Sequence, residues 1–152
     1  MLRDELDKNL CLAFPNLYRE RYKTRFGLRY GFEIPEGWFF LVEELSTQLE
    51  AEILKAKPAK RPTYHALQVK EKFAHLRFYM HDMTDAMERL IDQATEKSGK
   101  TCQECGKAGT MYPPNEQRKP GSFVWLETLC PQHQDEREKS KLKTPALPAP
   151  TS

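Results

Sequence analysis

The chain has no apolar run approaching the roughly 18 to 20 residues that a bilayer-spanning helix needs. Its opening residues, MLRDELDK, are charged where a signal peptide requires an apolar stretch. A soluble, cytoplasmic protein with no membrane partner is therefore expected. Charge of one sign is equally scarce. The 24 Lys and Arg stand against 22 Asp and Glu, and a net +2 supplies no overall polyelectrolyte pull toward nucleic acid. Any binding patch has to be local. No G-x-S-x-G elbow, nucleotide-binding glycine loop or internal repeat occurs. Cysteine is limited to four residues, three of them beside a histidine in metal-type spacing, which leaves Cys11 single and suits a reducing compartment.

What is present fits one domain, since 152 residues with 39% apolar content support one modest core. Leucines at 2, 6 and 10, continued by Ala13 and Leu17, recur at helical spacing, with Pro15 marking the helix end. After the turn signal IPEG, Trp38, Leu41, Val42, Leu45, Leu49 and Ile53 share one face of a helix over 38–55, with Glu43, Glu44, Glu50 and Glu52 off that face. KAKPAKRPT reads as a surface linker. The alternation in HALQVKEKFAHLRFYM predicts a β-hairpin turning near 71–74, with Leu67 and Val69 on one face of the first strand and Leu76, Phe78 and Met80 on one face of the second. Asp82 offers an N-cap for a further helix carrying Met83, Met87, Leu90, Ile91 and Ala94, which ends at Gly99 and delivers the chain to Cys102. FVWLETL then reads as a short strand leading into Cys130.

Cys102, Cys105, Cys130 and His133 form the pattern C-x2-C-x24-C-x2-H. A C-x2-C turn can fold two thiolates onto one ion, and the second pair closes a tetrahedron, so one structural Zn2+ is the expected cofactor. Four protein ligands leave no vacancy for a reactive water, which argues against a catalytic zinc. Glu104, Glu127 and Asp135 are acid or base candidates by sequence proximity alone. His75 and His81 lack the partners of a ββα-type nuclease motif, so a zinc nuclease or hydrolase is the weakest alternative, and no catalytic residue is assigned.

Two surfaces are candidates for binding. YRERYKTRFGLRYGF carries Arg19, Arg21, Lys23, Arg25 and Arg29 interleaved with aromatics, a composition that pairs with phosphates and stacks on bases. Against this, Tyr18, Tyr22 and Phe26 lie four apart, the spacing of a buried helix face beside a solvated basic one. The hairpin opposes its apolar face with Gln68, Lys70, Arg77 and Tyr79, either a partner contact or an ordinary solvated face. Cys11, beside the leucine stripe, reads as an inert core residue.

In order, GFEIPEGWFFLVEEL, QVKEKFAHLRFYM, EKSGKTCQECGKAG and FVWLETLCPQH resemble a group of small proteins of phages, prophages and their bacterial hosts. That group has a G-W-F helix start, a V-K-E-K-F…L-R-F-Y hairpin and a C-terminal zinc-ribbon-like site. The resemblance spans 31–133, with Ala74 where the group's hairpin turn carries glycine and His133 where cysteine also occurs. It implies a mobile-element setting, in which small non-catalytic proteins bind and disable host machinery. The expectation is thus an α+β protein: a helix and hairpin core over 1–100, a zinc-ribbon-like element over 101–133 packed on it, and a mostly disordered tail over 134–152 whose first part extends a helix. Its expected role is a zinc-stabilised, non-enzymatic binding protein acting on a host or phage protein in the host cytoplasm, as an inhibitor of a host defence or nucleic-acid-processing complex. A nucleic-acid-binding module is the alternative.

Overall fold

The computed structural model describes residues 3–23, 25 and 27–143. Leu2 and Phe26, and the 144–152 part of the expected tail, lie outside them. The architecture is α+β, with four helices and two antiparallel two-stranded sheets among the described residues. No helix among them is long and apolar enough to cross a membrane.

Helix α1 spans Arg3–Ala13 and buries Leu6 and Leu10. It stops short of Pro15, whose ring disfavours helical backbone in the residue before it. Leu17 is also fully buried, but from hydrogen-bonded turns beyond the helix. The basic-aromatic segment is made of turns and a short 3-10 helix over Gly27–Tyr30, not a helix with one buried face. Tyr18 is buried, and its hydroxyl shares a 2.5 Å hydrogen bond with Ser46, whereas Tyr22 is 70% exposed.

Helix α2, Phe39–Lys55, runs through the centre of the core and buries Leu41, Val42, Leu45, Leu49 and Ile53. Each such side chain contributes about 1.5–3 kcal/mol by leaving water. Glu50, expected off the apolar face, is also buried. Its carboxylate accepts from the backbone N–H groups of Asn16 at 3.1 Å and Leu17 at 2.8 Å. Those donors follow the end of α1 and would otherwise be buried unpaired. Between Ala56 and Tyr64 the linker stays at the surface, where Arg61 donates to the carbonyls of Leu54 and Ala56 at the end of α2.

Strand β1, Ala66–Lys72, pairs antiparallel with β2, His75–Met80. The register shifts between Ala66 and Gln68, a bulge that turns Leu67 outward and puts Ala66 with Val69 on the core side. This corrects the simple alternation, since one extra residue reverses which neighbours share a face. The two-residue turn has φ of 52° at Phe73 and 61° at Ala74, the left-handed pair of a type I′ turn, without the expected glycine. Glu71 Oε1 accepts the Ala74 N–H at 2.8 Å.

Helix α3, Asp85–Ser98, is capped by Thr84, whose Oγ1 accepts from the Met87 N–H at 3.2 Å. Asp82 instead binds the next backbone N–H, that of Met83, and Met83 is left outside the helix and exposed. The apolar face of α3 packs on α2 and β2. The chain then forms a small second sheet of β3, Thr110–Tyr112, and β4, Glu127–Leu129, followed by α4, Pro131–Lys143. Strand β3 was not expected. The strand expected over 123–129 is paired only from Glu127, because Pro113 and Pro114 follow Tyr112 and cannot donate to a longer ladder.

Candidate metal centre

The three cysteines and the histidine of the C-x2-C…C-x2-H pattern converge, with their four ligand atoms all within 4.8 Å of one another. Each arrives from a different local device. Cys102 and Cys105 sit in a tight turn closed by Cys102 N–H to Lys107 O at 2.7 Å and Gly106 N–H to Cys102 O at 2.9 Å. Gly106 takes φ of 77° there, a conformation that favours glycine. Cys130 follows β4, and His133 lies in the first turn of α4, so a strand-to-helix junction presents the second pair.

The spacing suits a tetrahedral ion. Two sulfurs each about 2.3 Å from such an ion stand about 3.8 Å apart, and Cys105 Sγ lies 3.8 Å from Cys130 Sγ. His133 Nδ1 stands 3.4 Å from Cys102 Sγ and 3.1 Å from Cys130 Sγ. All the cysteines are free thiols, so no disulfide competes for this role. The cluster can hold one metal ion. The backbone N–H of His133 turned toward Cys130 holds that thiol below its ordinary range, assisted by the N–H of Gln132. Amides at the start of a helix favour negative charge, here a thiolate ligand.

The rim of the site is tied down by ion pairs. Arg137 on α4 reaches Glu127 Oε1 at 2.9 Å and Glu104 Oε1 at 2.5 Å, clamping the helix to β4 and to the C-x2-C turn. Asp135 pairs with Lys139 at 2.7 Å. Glu104, Glu127 and Asp135 therefore already hold cations, and Glu136 Oε2 stands 3.8 Å from His133 Nε2. Lys141 donates to Tyr112 Oη at 2.6 Å, and Tyr112 donates to Glu138, fixing α4 on β3.

The cluster is joined to the main core through the 3-10 turn Glu36–Trp38 that leads into α2. Gly37 N–H donates to Gln103 O at 2.8 Å, and Trp38 Nε1 donates to Thr101 O at 2.9 Å. Thr128 Oγ1 donates to Ala74 O at 3.1 Å, linking β4 to the hairpin tip. Sequence reasoning missed these docking residues. The only signal was Gly37-Trp38 itself, a glycine beside a large aromatic at the start of the strongest helix.

The candidate contact residues are not brought together as one patch. Arg21 points inward: its guanidinium binds Asp7, with Nε donating at 2.9 Å, and Nη1 donates to Arg29 O at 3.1 Å. Its side chain is 10% exposed and Asp7's 16%. Removing one partner leaves the other charge half-desolvated, so Arg21→Ala is expected to lower the unfolding free energy by about 2 kcal/mol in urea titration. Lys23, Arg25 and Arg29 are exposed and Arg19 is half-buried. On the hairpin, Lys70 faces Arg77 and Gln68 faces Tyr79 across the strands, as expected for one polar face. Cys11 donates to Asp7 Oδ1 at 3.5 Å. Burial, with the Asp7 charge, pushes its thiol up to about 12, so it is not a nucleophile near neutral pH. His65 and His81, without ligand spacing in sequence, stack with ring centroids 4.9 Å apart.

No family model, no curated protein and no solved structure matches the chain.

Proposed function

We propose that the ion is zinc, held as a structural centre, and that the protein is a non-enzymatic binding protein of phage or prophage type whose target is a host protein. The observation that carries this is the donor set. Three thiolates and an imidazole at tetrahedral spacing suit a borderline-soft ion, and they fill its coordination shell. Bound there, zinc would supply folding energy and hold β4 and α4 against the hairpin. Glu104 and Glu127 are engaged by Arg137 and Asp135 by Lys139, while Glu136 accepts from Gln132 and stands 3.8 Å from His133 Nε2, on the side of the ring away from the other ligands. The order of motifs along the chain supports the mobile-element setting, in which disabling a host complex is the expected role.

Native mass spectrometry of the purified chain is expected to find one zinc per polypeptide, with no metal-dependent turnover of nucleic acid, nucleotides or peptides. Either a metal-free folded protein or such turnover would overturn the reading.

A second reading, nucleic-acid binding, is favoured by one observation. Lys70 and Arg77 are directly opposed across the hairpin, a like-charge pairing that costs stability, and Tyr79 beside them is 45% exposed. Reversing both charges should abolish binding of a single-stranded oligonucleotide whose affinity falls steeply with salt. A flat salt dependence would remove this reading.

A further inference from the structure

The face made by the hairpin tip and residues 123–126 takes no part in the metal centre. Phe73 is 61% exposed, Phe123 86% and Trp125 68%. With Lys72 and Val124 they line an open groove of about 230 Å³. Contiguous exposure of several large apolar side chains is uncommon on a soluble protein that has no partner there.

Three observations say what fits this groove. The first is the backbone. Residues 123–126 run directly into β4, yet none of their N–H or C=O groups has a hydrogen-bond partner among the described residues, because β3 is cut off at Pro113. They are an open edge on which another strand can be added. The second is Phe73. At φ of 52° it occupies a left-handed position that Asn or Gly fills more easily, so the turn gives up stability to hold an aromatic ring at the groove. The third is charge. Lys72 at the lip, and Lys70 and Arg77 further along the hairpin, have no carboxylate partner among the described residues. The groove's own carboxylate, Glu71, is turned onto the Ala74 N–H. At the lip Lys72 and Glu71 balance, and the hairpin beyond it adds the two further cations Lys70 and Arg77 beside an apolar floor.

We infer that this groove takes an extended apolar segment of another protein, flanked by acidic residues, which adds as a strand along 123–126 and seats its side chains between Phe73 and Trp125. The inference rests on the binding-protein reading and names its surface and the chemistry of its partner. The unpaired backbone favours a peptide over a nucleic acid, which would use the rings and cations but not a strand edge.

A displayed random-peptide library panned against the full chain tests it, with selected peptides then remade in normal and backbone N-methylated forms. The expected winners alternate apolar residues between acidic flanks. Trp125→Ala and Phe73→Asn should each weaken them about tenfold or more, whereas Phe40→Ala, at an exposed ring on α2, should not. Phe73→Asn should also raise the melting temperature by relieving the turn, so its loss of binding cannot be a loss of folding. N-methylation along one edge of the peptide should abolish binding. The inference is overturned if no peptide is enriched, if the winners ignore Trp125→Ala and Phe73→Asn, if N-methylated peptides bind equally, or if oligothymidylate binds more tightly through the same residues. Peptides captured elsewhere would defeat this surface and leave the binding-protein reading standing. Metal-dependent turnover would defeat that reading itself.

Discussion

Replacing Cys102 by serine is expected to abolish metal binding and to unfold the C-terminal element from Thr101 onward, while α1, α2, α3 and the hairpin stay folded. The difference lies in what each part has for a core. The main cluster joins residues from Leu6 to Ala94, including Trp38, Val42, Leu49 and Met87 with no exposure. The C-terminal cluster consists of Cys102, Tyr112, Leu129 and Cys130, and two of those are the ligands themselves. So small an apolar contact cannot by itself offset the backbone entropy lost when the element orders. A metal ion held by four protein ligands is the largest single contribution open to such an element, as in small metal-folded domains. Hydrogen exchange is the measurement: amides of β3, β4 and α4 should lose protection in the variant and in chelator-treated wild type, and those of α2 and β1 should keep it. Retained protection in β3 and β4 without metal would show that the clip is not what holds the element together.

The same contrast explains how much of the fold was legible beforehand. Helix α2 and the hairpin's second strand were readable because their apolar residues repeat with one period and that face is the buried one. The ligands were readable because metal chemistry fixes residue type and local spacing together. The rest depended on tertiary partners that leave no periodic trace. Leu67 faces outward through a one-residue bulge. Thr84 takes the cap that Asp82 seemed to offer because its hydroxyl reaches the Met87 N–H. Arg21, in a segment that reads as a basic surface, is drawn inward by Asp7, fourteen residues earlier. Trp125 and Phe123, read as part of a strand, lie outside it because β3 ends at Tyr112, before Pro113 and Pro114.

Gly37→Ala is expected to detach the metal element from α2 without emptying it, the second large effect in the molecule. A Cβ placed on Gly37 would stand 2.1 Å from Cys102 O and 2.6 Å from Gln103 C, and both neighbours are backbone with no rotamer to yield. The contact also runs the other way, since a Cβ on Gly106 would come within 2.9 Å of Gly37 O. Relief requires the C-x2-C turn to move away, which breaks the Gly37 N–H to Gln103 O bond and the Trp38 Nε1 to Thr101 O bond and opens the fully buried Trp38 ring to water. Overpacking of this kind typically costs about 1–3 kcal/mol, and two lost hydrogen bonds add about 1–3 more. Urea unfolding should show a loss in that combined range. None of the four ligands lies on α2, so native mass spectrometry should still find one ion per chain. Trp38→Phe removes the Nε1–H bond and also leaves a cavity where the larger indole is fully buried, so it should lose stability of similar size without pushing the C-x2-C turn away. Peptide binding adds the decisive reading, because Phe73 belongs to the main core's hairpin and Trp125 to the segment entering β4. If the groove between them is the binding surface, Gly37→Ala should weaken the selected peptides as strongly as Trp125→Ala although it touches neither ring. Unchanged affinity in a metal-replete Gly37→Ala protein would mean that the two halves need not be held in register for binding.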